Sequence, residues 1–113
     1  MSKKDWKILV NDILFAINKI ENYTNELSYE DFIVNDLVKD AVVRNIEIIG
    51  EASNRIPDDV KAQIDKIPWK KLRGIRNRIV HDYFGVDQDI IWQIISKELS
   101  DLKVNLNQLL NSN

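Results

Sequence analysis

Residues 29–56 read YEDFIVNDLVKDAVVRNIEIIGEASNRI, a stretch in which apolar residues recur every three or four positions. That spacing places them on one face of an α-helix, because 3.6 residues complete a turn. Ser28 followed three residues later by Asp31 resembles a capping box and predicts that the helix begins there. We expect it to reach Ile56, ahead of Pro57, with a bend allowed near Asn35. The predicted inward-facing residues are Phe32, Val34, Leu37, Val38, Ala41, Val42, Ile46, Ile49, Ala52 and Ile56.

The same periodicity predicts helices on both sides of this stretch. The predicted elements are a helix from about Lys3 to Tyr23, a short helix from Pro57 to near Ile67, a helix from Pro68 to a stop at Gly85, and a last helix that Asp87 or Asp89 caps. Gly50 lies inside the long helix, where we interpret it as a close packing contact. Residues 1–113 are therefore expected to form one all-α domain, an antiparallel up-and-down bundle of four main helices plus a short helix.

Composition supports this reading and excludes several classes of protein. Three Gly and two Pro among 113 residues are too few for a many-turned β-sandwich or a disordered tract. The absence of Cys excludes a disulfide framework and cysteine catalysis, and with a single His it argues against a metal site, so we expect no metal and no cofactor. No apolar run approaches the roughly 20 residues of a membrane span. We expect a soluble, cytoplasmic protein with no membrane partner.

The net charge of −2 hides an uneven distribution. Residues 66–81 contain six basic residues and no acid, so the remaining ten basic residues face all 18 acids and that part of the chain carries −8. The basic residues of this segment are Lys66, Lys70, Lys71, Arg73, Arg76 and Arg78. The segment is either a solvated helical face or a surface that binds the phosphates of a nucleic acid or nucleotide.

His81, the only imidazole of the chain, ends this basic segment. On a helix, Arg73, Asn77 and His81 lie at positions i, i+4 and i+8 and form one polar ridge. Imidazole is the side chain that titrates near neutral pH without help, which makes His81 the first candidate for acid–base chemistry. The alternative is structural, since a His in the last turn of a helix stabilises the negative end of the helix dipole.

Arg76 precedes His81 by five residues, which separates the two by about 140° around an ideal helix. The two side chains therefore do not share a ridge within one helix. Arg76 would have to curl back or meet His81 of a second molecule, a geometry that indicates a composite site.

Residues 76–83, RNRIVHDY, resemble the R-x4-H-x-Y signature of the HepT-like branch of the HEPN superfamily. These are small helical ribonuclease toxins of prokaryotic toxin–antitoxin pairs. Residues 44–52, RNIEIIGEA, resemble the family's helix that ends in Ile-Gly-Glu-Ala, and Pro68-Trp69 followed by residues 73–77, RGIRN, resembles its lead into the motif. The similarity spans nearly the whole chain, and Arg76, His81 and Tyr83 match without departure.

The resemblance implies a metal-independent endoribonuclease that acts as a homodimer, in a toxin–antitoxin system of type II-like or type VII organisation. It implies that His81 is the general acid/base and that Arg76 stabilises the phosphoryl transition state, with Asn77 in support. The partner antitoxin of such a toxin is a cognate minimal nucleotidyltransferase that transfers AMP to the motif tyrosine, here Tyr83. Without that role, Tyr83 is a residue that packs at the edge of the bundle.

Two further assignments complete the expected site. Lys70, Lys71, Arg73 and Arg78 are expected to bind the RNA backbone. Glu51 is either a surface charge or a positioning residue paired with Arg73 or Arg76. The main rival to a ribonuclease is a non-catalytic HEPN module that binds a nucleotide or docks a nucleotidyltransferase, and a bare helical scaffold is a third possibility.

Overall fold

The computed structural model describes residues 5–64, 66–74 and 88–111, and all regular structure in these ranges is helical. The elements are α1 (Asp5–Thr24), α2 (Tyr29–Ile33), α3 (Asp36–Arg55), α4 (Asp58–Lys61), α5 (helical residues 69–74), α6 (Gln88–Gln93), a π-helical turn (Ile94–Glu98) and α7 (Leu99–Asn111). Short connections join the first four helices, as in an up-and-down bundle. The predicted all-α bundle is confirmed.

The largest interface of α1 is with α3. Of the apolar stripe that the periodicity predicts for α1, Leu14 is half-buried and the others are buried, namely Trp6, Leu9, Val10, Ile13, Ile17 and Ile20. α7 and the π-helical turn pack against α1 as well, so α1 lies at the centre of the core. Val10, Ile13, Ile17 and Ile20 are fully buried. Thr24 ends the helix with its hydroxyl donating to the Ile20 carbonyl oxygen at 2.8 Å.

The predicted long helix is two helices, and the break lies at the expected bend. Ser28 caps α2 with both bonds of a capping box, since Asp31 N donates to Ser28 Oγ at 3.1 Å and Ser28 N donates to Asp31 Oδ2 at 3.4 Å. Asn35 then caps α3 by accepting from Val38 N through Oδ1 at 3.1 Å. The prediction of one continuous helix was wrong because the Asn35 side chain competes with the helical backbone for this N–H.

The break also changes which side of the chain faces the core. Val34 is 77% exposed and Leu37 is 81% exposed, so their predicted burial was wrong. Downstream of the break the predicted stripe is confirmed, with Val42, Ile46 and Ile49 in the core. Gly50 is buried in the C-terminal half of α3, and its role as a close packing contact stays a prediction.

The short helix α4 is shorter than predicted. Pro57 occupies its N-cap, and the helix closes at Lys61 because the Gln63 N–H bonds back to the Val60 carbonyl in a tighter turn. The chain then returns to the core at the buried Ile67 before α5 begins.

The last helix is continuous from Gln88 to Asn111 but contains a turn of π-helix that the sequence analysis did not predict. The buried positions Ile94 and Leu99 are five residues apart, and the wider turn lets both face the core. Asp89 lies in the first turn of α6 rather than at its cap, and Asp87 lies outside the described residues. No helix in the described ranges is both long enough and apolar enough to cross a membrane.

Candidate functional site

Helix α5 carries the first half of the basic segment and is anchored to α4 by Trp69. The indole Nε1 donates to the carbonyl oxygen of Lys61 at 3.2 Å, and Leu72 N donates to Pro68 O at 3.0 Å in the first turn. Trp69 and Leu72 are half-buried against the core, whereas Lys70, Lys71 and Arg73 are exposed. The inward and outward faces of α5 follow from this apolar–basic alternation.

A cleft of about 620 Å³ lies between α4, α5 and the end of α3. Its lining residues are Asn54, Asp58, Lys61, Ile67, Pro68, Trp69, Lys70, Lys71 and Arg73. Four of them are basic and one is acidic, which makes this cleft electropositive. We refer to it as the basic cleft.

Lys71 differs from its neighbours because its ammonium group is paired with Glu98 of the π-helical turn. Lys71 and Glu98 also line a second, smaller cavity of about 190 Å³ between α5 and α7, together with Lys66 and Asp101. The charges of these two basic and two acidic residues balance in this cavity. The charge of Lys71 is therefore partly compensated, while no ion pair to a described residue is seen for Lys70 or Arg73.

Glu51 lies on another face of the molecule. It is exposed and lines a groove of about 330 Å³ between α1 and α3, with Asp12, Phe15, Lys19 and Arg55 among its neighbours. Arg73 lines the basic cleft instead, and the described residues include no ion pair between Glu51 and Arg73. A pairing of Glu51 with Arg76 stays a prediction.

Arg76, Asn77, Arg78, His81 and Tyr83 lie outside the described residues. Their predicted roles are therefore carried by the sequence motif alone. In the ranges that the structure describes, no three His or carboxylate side chains converge into a set of metal ligands.

Sequence reasoning missed three polar residues of the basic cleft, Asn54, Asp58 and Lys61. Lys61 follows Asp58 and Asp59, so it lies outside the acid-free segment that drew attention to α5. Asn54 belongs to the last turn of α3, far from that segment in sequence. The packing of Trp69 onto the end of α4 brings Lys61 to the cleft. A local pattern in the sequence does not predict such a contact between two helices.

Comparison with known proteins identifies the family. Residues 13–109 match the model of the family described as Ribonuclease HepT-like. The chain belongs to the HepT-like ribonuclease family. The matched range includes the complete R-x4-H-x-Y motif, with Arg76, His81 and Tyr83.

Individual HepT-like relatives match along nearly their full length. A Thermococcus cleftensis protein named "Probable ribonuclease HepT" is 38% identical over 107 residues, which cover 95% of this chain and 97% of the relative. A Methanocaldococcus jannaschii protein named "Putative RNase MJ1380" is 39% identical over 103 residues, which cover 91% of this chain and 94% of the relative. No solved structure matches the chain.

Proposed function

We propose that this protein is a metal-independent endoribonuclease toxin that cleaves RNA in a cleft between two copies of the chain. The observation that carries the proposal is the intact R-x4-H-x-Y motif, which lies inside the range matched by a ribonuclease family and directly follows the basic helix α5. His81 is the general acid/base, and Arg76 stabilises the charge that develops on the phosphoryl group.

RNA supplies the nucleophile that such a site needs. Its 2′-hydroxyl can attack the adjacent phosphorus in line, provided that one group accepts the hydroxyl proton and another donates a proton to the leaving oxygen. A guanidinium beside the phosphoryl oxygens stabilises the transition state more than the ground state, because the negative charge on these oxygens grows during attack. Imidazole and guanidinium together can supply all three roles.

A two-fold dimer provides the groups that one chain lacks. Each chain has one His, whereas the two proton transfers are most simply served by two imidazoles. A symmetric pair of motifs offers two copies of His81 and Arg76 around one site. Arg76 of one chain can then act beside His81 of the other, although the two residues are separated by about 140° around one helix. Asn77, one turn before His81, would position the substrate or the imidazole.

The basic segment holds the RNA backbone in this account. Lys70 and Arg73 are exposed in the basic cleft, and Arg78 continues the segment toward His81. Lys71 can contribute only after it exchanges its ion pair with Glu98 for a phosphate. Binding should weaken steeply with salt, because each neutralised phosphate releases counterions.

The proposed partner is a minimal nucleotidyltransferase antitoxin that transfers AMP to Tyr83. The added phosphate would bring negative charge to the motif two residues beyond His81. It would compete for Arg76 and repel an RNA phosphate, which explains neutralisation by local electrostatics.

We expect mass spectrometry of the protein co-expressed with its antitoxin to find AMP on Tyr83. Peptide mapping provides an internal control, because Tyr23 is 40% exposed on α1 and should stay unmodified. The Tyr83→Phe variant should remain unmodified and should escape neutralisation. An unmodified Tyr83 in a neutralised complex would contradict this mechanism.

Multiple-turnover cleavage of single-stranded RNA by the purified protein tests the proposed activity against its main rival. A ribonuclease releases many moles of product per mole of protein. A non-catalytic HEPN module that uses the same basic cleft would bind RNA or a nucleotide with salt-sensitive affinity and release no product. That second result would overturn the proposed catalytic function.

A further inference from the structure

We propose that the basic cleft is a subsite for single-stranded RNA, in which Lys61 and Arg73 bind backbone phosphates and the Trp69 indole stacks on a base. This inference rests on the proposed function and deepens it, because it assigns substrate contacts to α3 and α4, outside the motif. Lys61, Asn54 and Trp69 gain roles that neither the motif nor the family match supplies.

The charges of the cleft fit a polyanion. Lys61 ends α4, while Lys70 and Arg73 lie on the exposed face of α5, so cations line two sides of the same space. No carboxylate among the described residues forms an ion pair with any of these three side chains. By contrast, the ammonium groups of Lys39, Lys71 and Lys103 each contact a carboxylate. Among the described residues, therefore, no carboxylate competes with a phosphate for Lys61, Lys70 or Arg73.

Trp69 provides the wall on which a base can stack. Its indole Nε1–H donates to the carbonyl oxygen of Lys61 at 3.2 Å. This bond restrains the ring and places it beside Lys61, whose ammonium group is proposed to bind a phosphate. The ring is half-buried and lines the cleft together with Pro68. An aromatic face beside cations is the usual arrangement for single-stranded nucleic acid, because every base has a face to stack and every nucleotide a phosphate to neutralise.

The dimensions and the remaining polar groups also fit a nucleotide. The cleft volume of about 620 Å³ lies inside the range of about 300–1,000 Å³ typical of small-molecule sites. Asn54 offers both a donor and an acceptor, and Asp58 offers acceptors, for the edge of an unpaired base. In the sequence, only Gly74 and Ile75 separate Arg73 from Arg76, the first residue of the motif.

The test uses a fluorescein-labelled 12-nucleotide 2′-O-methyl RNA, which keeps the phosphates and bases but lacks the nucleophilic hydroxyl. Its binding to the full chain is measured by anisotropy over a series of KCl concentrations. The variants are Lys61→Gln and, as the matched control, Lys97→Gln, which removes the same charge from an exposed residue of the π-helical turn, outside the basic segment.

We expect Lys61→Gln to make the salt dependence shallower: the negative slope of log K against log[KCl] should decrease in magnitude by about 0.7. This change corresponds to about a fivefold loss of affinity at 0.1 M salt. Lys97→Gln should leave both quantities unchanged. Equal effects of the two substitutions, no effect of Lys61→Gln, or no binding at all would overturn the proposal. So would AMP binding as tightly as the oligonucleotide with the same dependence on Lys61, since that result identifies a mononucleotide site.

Tryptophan emission tests the stacking contact separately. Trp6 is 4% exposed, whereas Trp92 is half-buried like Trp69, with its ring centroid 5.2 Å from that of Phe32, so the Trp69→Phe variant is needed to assign quenching by the oligonucleotide to Trp69. We expect Trp69→Phe to remove the quenching while an aromatic face, and most of the affinity, are retained. Quenching that persists in this variant contradicts stacking on Trp69.

This experiment separates the subsite from the catalytic proposal. Cleavage of unmodified RNA together with binding that ignores Lys61 overturns the subsite alone. Lys61-dependent binding without any cleavage overturns the catalytic proposal alone.

Discussion

RNA cleavage by the His81→Ala variant is expected to fall by about 10²–10⁴-fold in kcat/KM, the usual contribution of a general acid/base. The loss should appear mainly in kcat, because imidazole transfers a proton in the transition state and adds little to binding of the substrate. Initial rates on a short labelled RNA, measured over a range of substrate concentrations, give both constants. Binding of the 2′-O-methyl oligonucleotide should stay close to that of the wild type.

The control for this prediction is Asn77→Ala, one helical turn earlier on the same predicted ridge. Asn77 has a supporting role, so its loss should cost less than the loss of His81. Thermal unfolding of both variants should follow the wild type. Wild-type rates in His81→Ala would refute the assignment of the acid/base, and a general loss of folded protein would show up in the unfolding curve.

Mixing two inactive variants is expected to restore activity if Arg76 of one subunit works with His81 of the other. A heterodimer of His81→Ala and Arg76→Ala chains keeps one intact pair across the interface and no intact pair within a chain. Random exchange makes half of the dimers mixed, and each mixed dimer keeps one His81 and one Arg76 at the shared site, so the recovered rate should exceed that of either variant alone and stay below about half of the wild-type rate. Unfolding the two variants together and refolding them ensures exchange.

Refolding each variant with itself is the control and should give no recovery. The double variant, with both substitutions in one chain, refolded with the wild type leaves no intact trans pair in the mixed dimer and keeps one cis pair. If that mixture is active beyond its wild-type homodimers while the first mixture is inactive, the catalytic pair lies within one chain. That result would contradict the composite site.

Helix periodicity predicted most of the fold because burial of an apolar stripe determines where each long helix lies. The stripes of α1 and α7 and the Ser28 capping box agree with the structure. The division at Asn35 and the exposure of Leu37 were missed, since one side-chain cap outweighed a continuous apolar pattern. The π-helical turn was missed because Ile94 and Ile95 are both apolar. The four-residue step from Ile95 to Leu99 fits an ordinary α-helix, so the sequence does not reveal the five-residue step between the buried Ile94 and Leu99.

The parts of the site that depend on residues close together in the sequence were predictable. The parts that depend on tertiary contacts were missed. The basic face of α5 follows from the order of Lys70, Lys71 and Arg73 in the sequence. The ion pair between Lys71 and Glu98 spans 27 residues, and the hydrogen bond from Trp69 to Lys61 depends on how α5 packs on α4. Such contacts select which of several equivalent cations remains available to RNA, and no spacing rule contains them.

The proposed ribonuclease activity needs no metal ion and depends on His81. Its most direct test is RNA cleavage in EDTA by purified wild type beside His81→Ala, prepared identically and with the product ends mapped. We predict cleavage by the wild type at an undiminished rate in EDTA and cleavage slower by about 10²–10⁴-fold by His81→Ala. Cleavage that EDTA abolishes and added divalent cation restores, or equal cleavage by both proteins, would contradict the account.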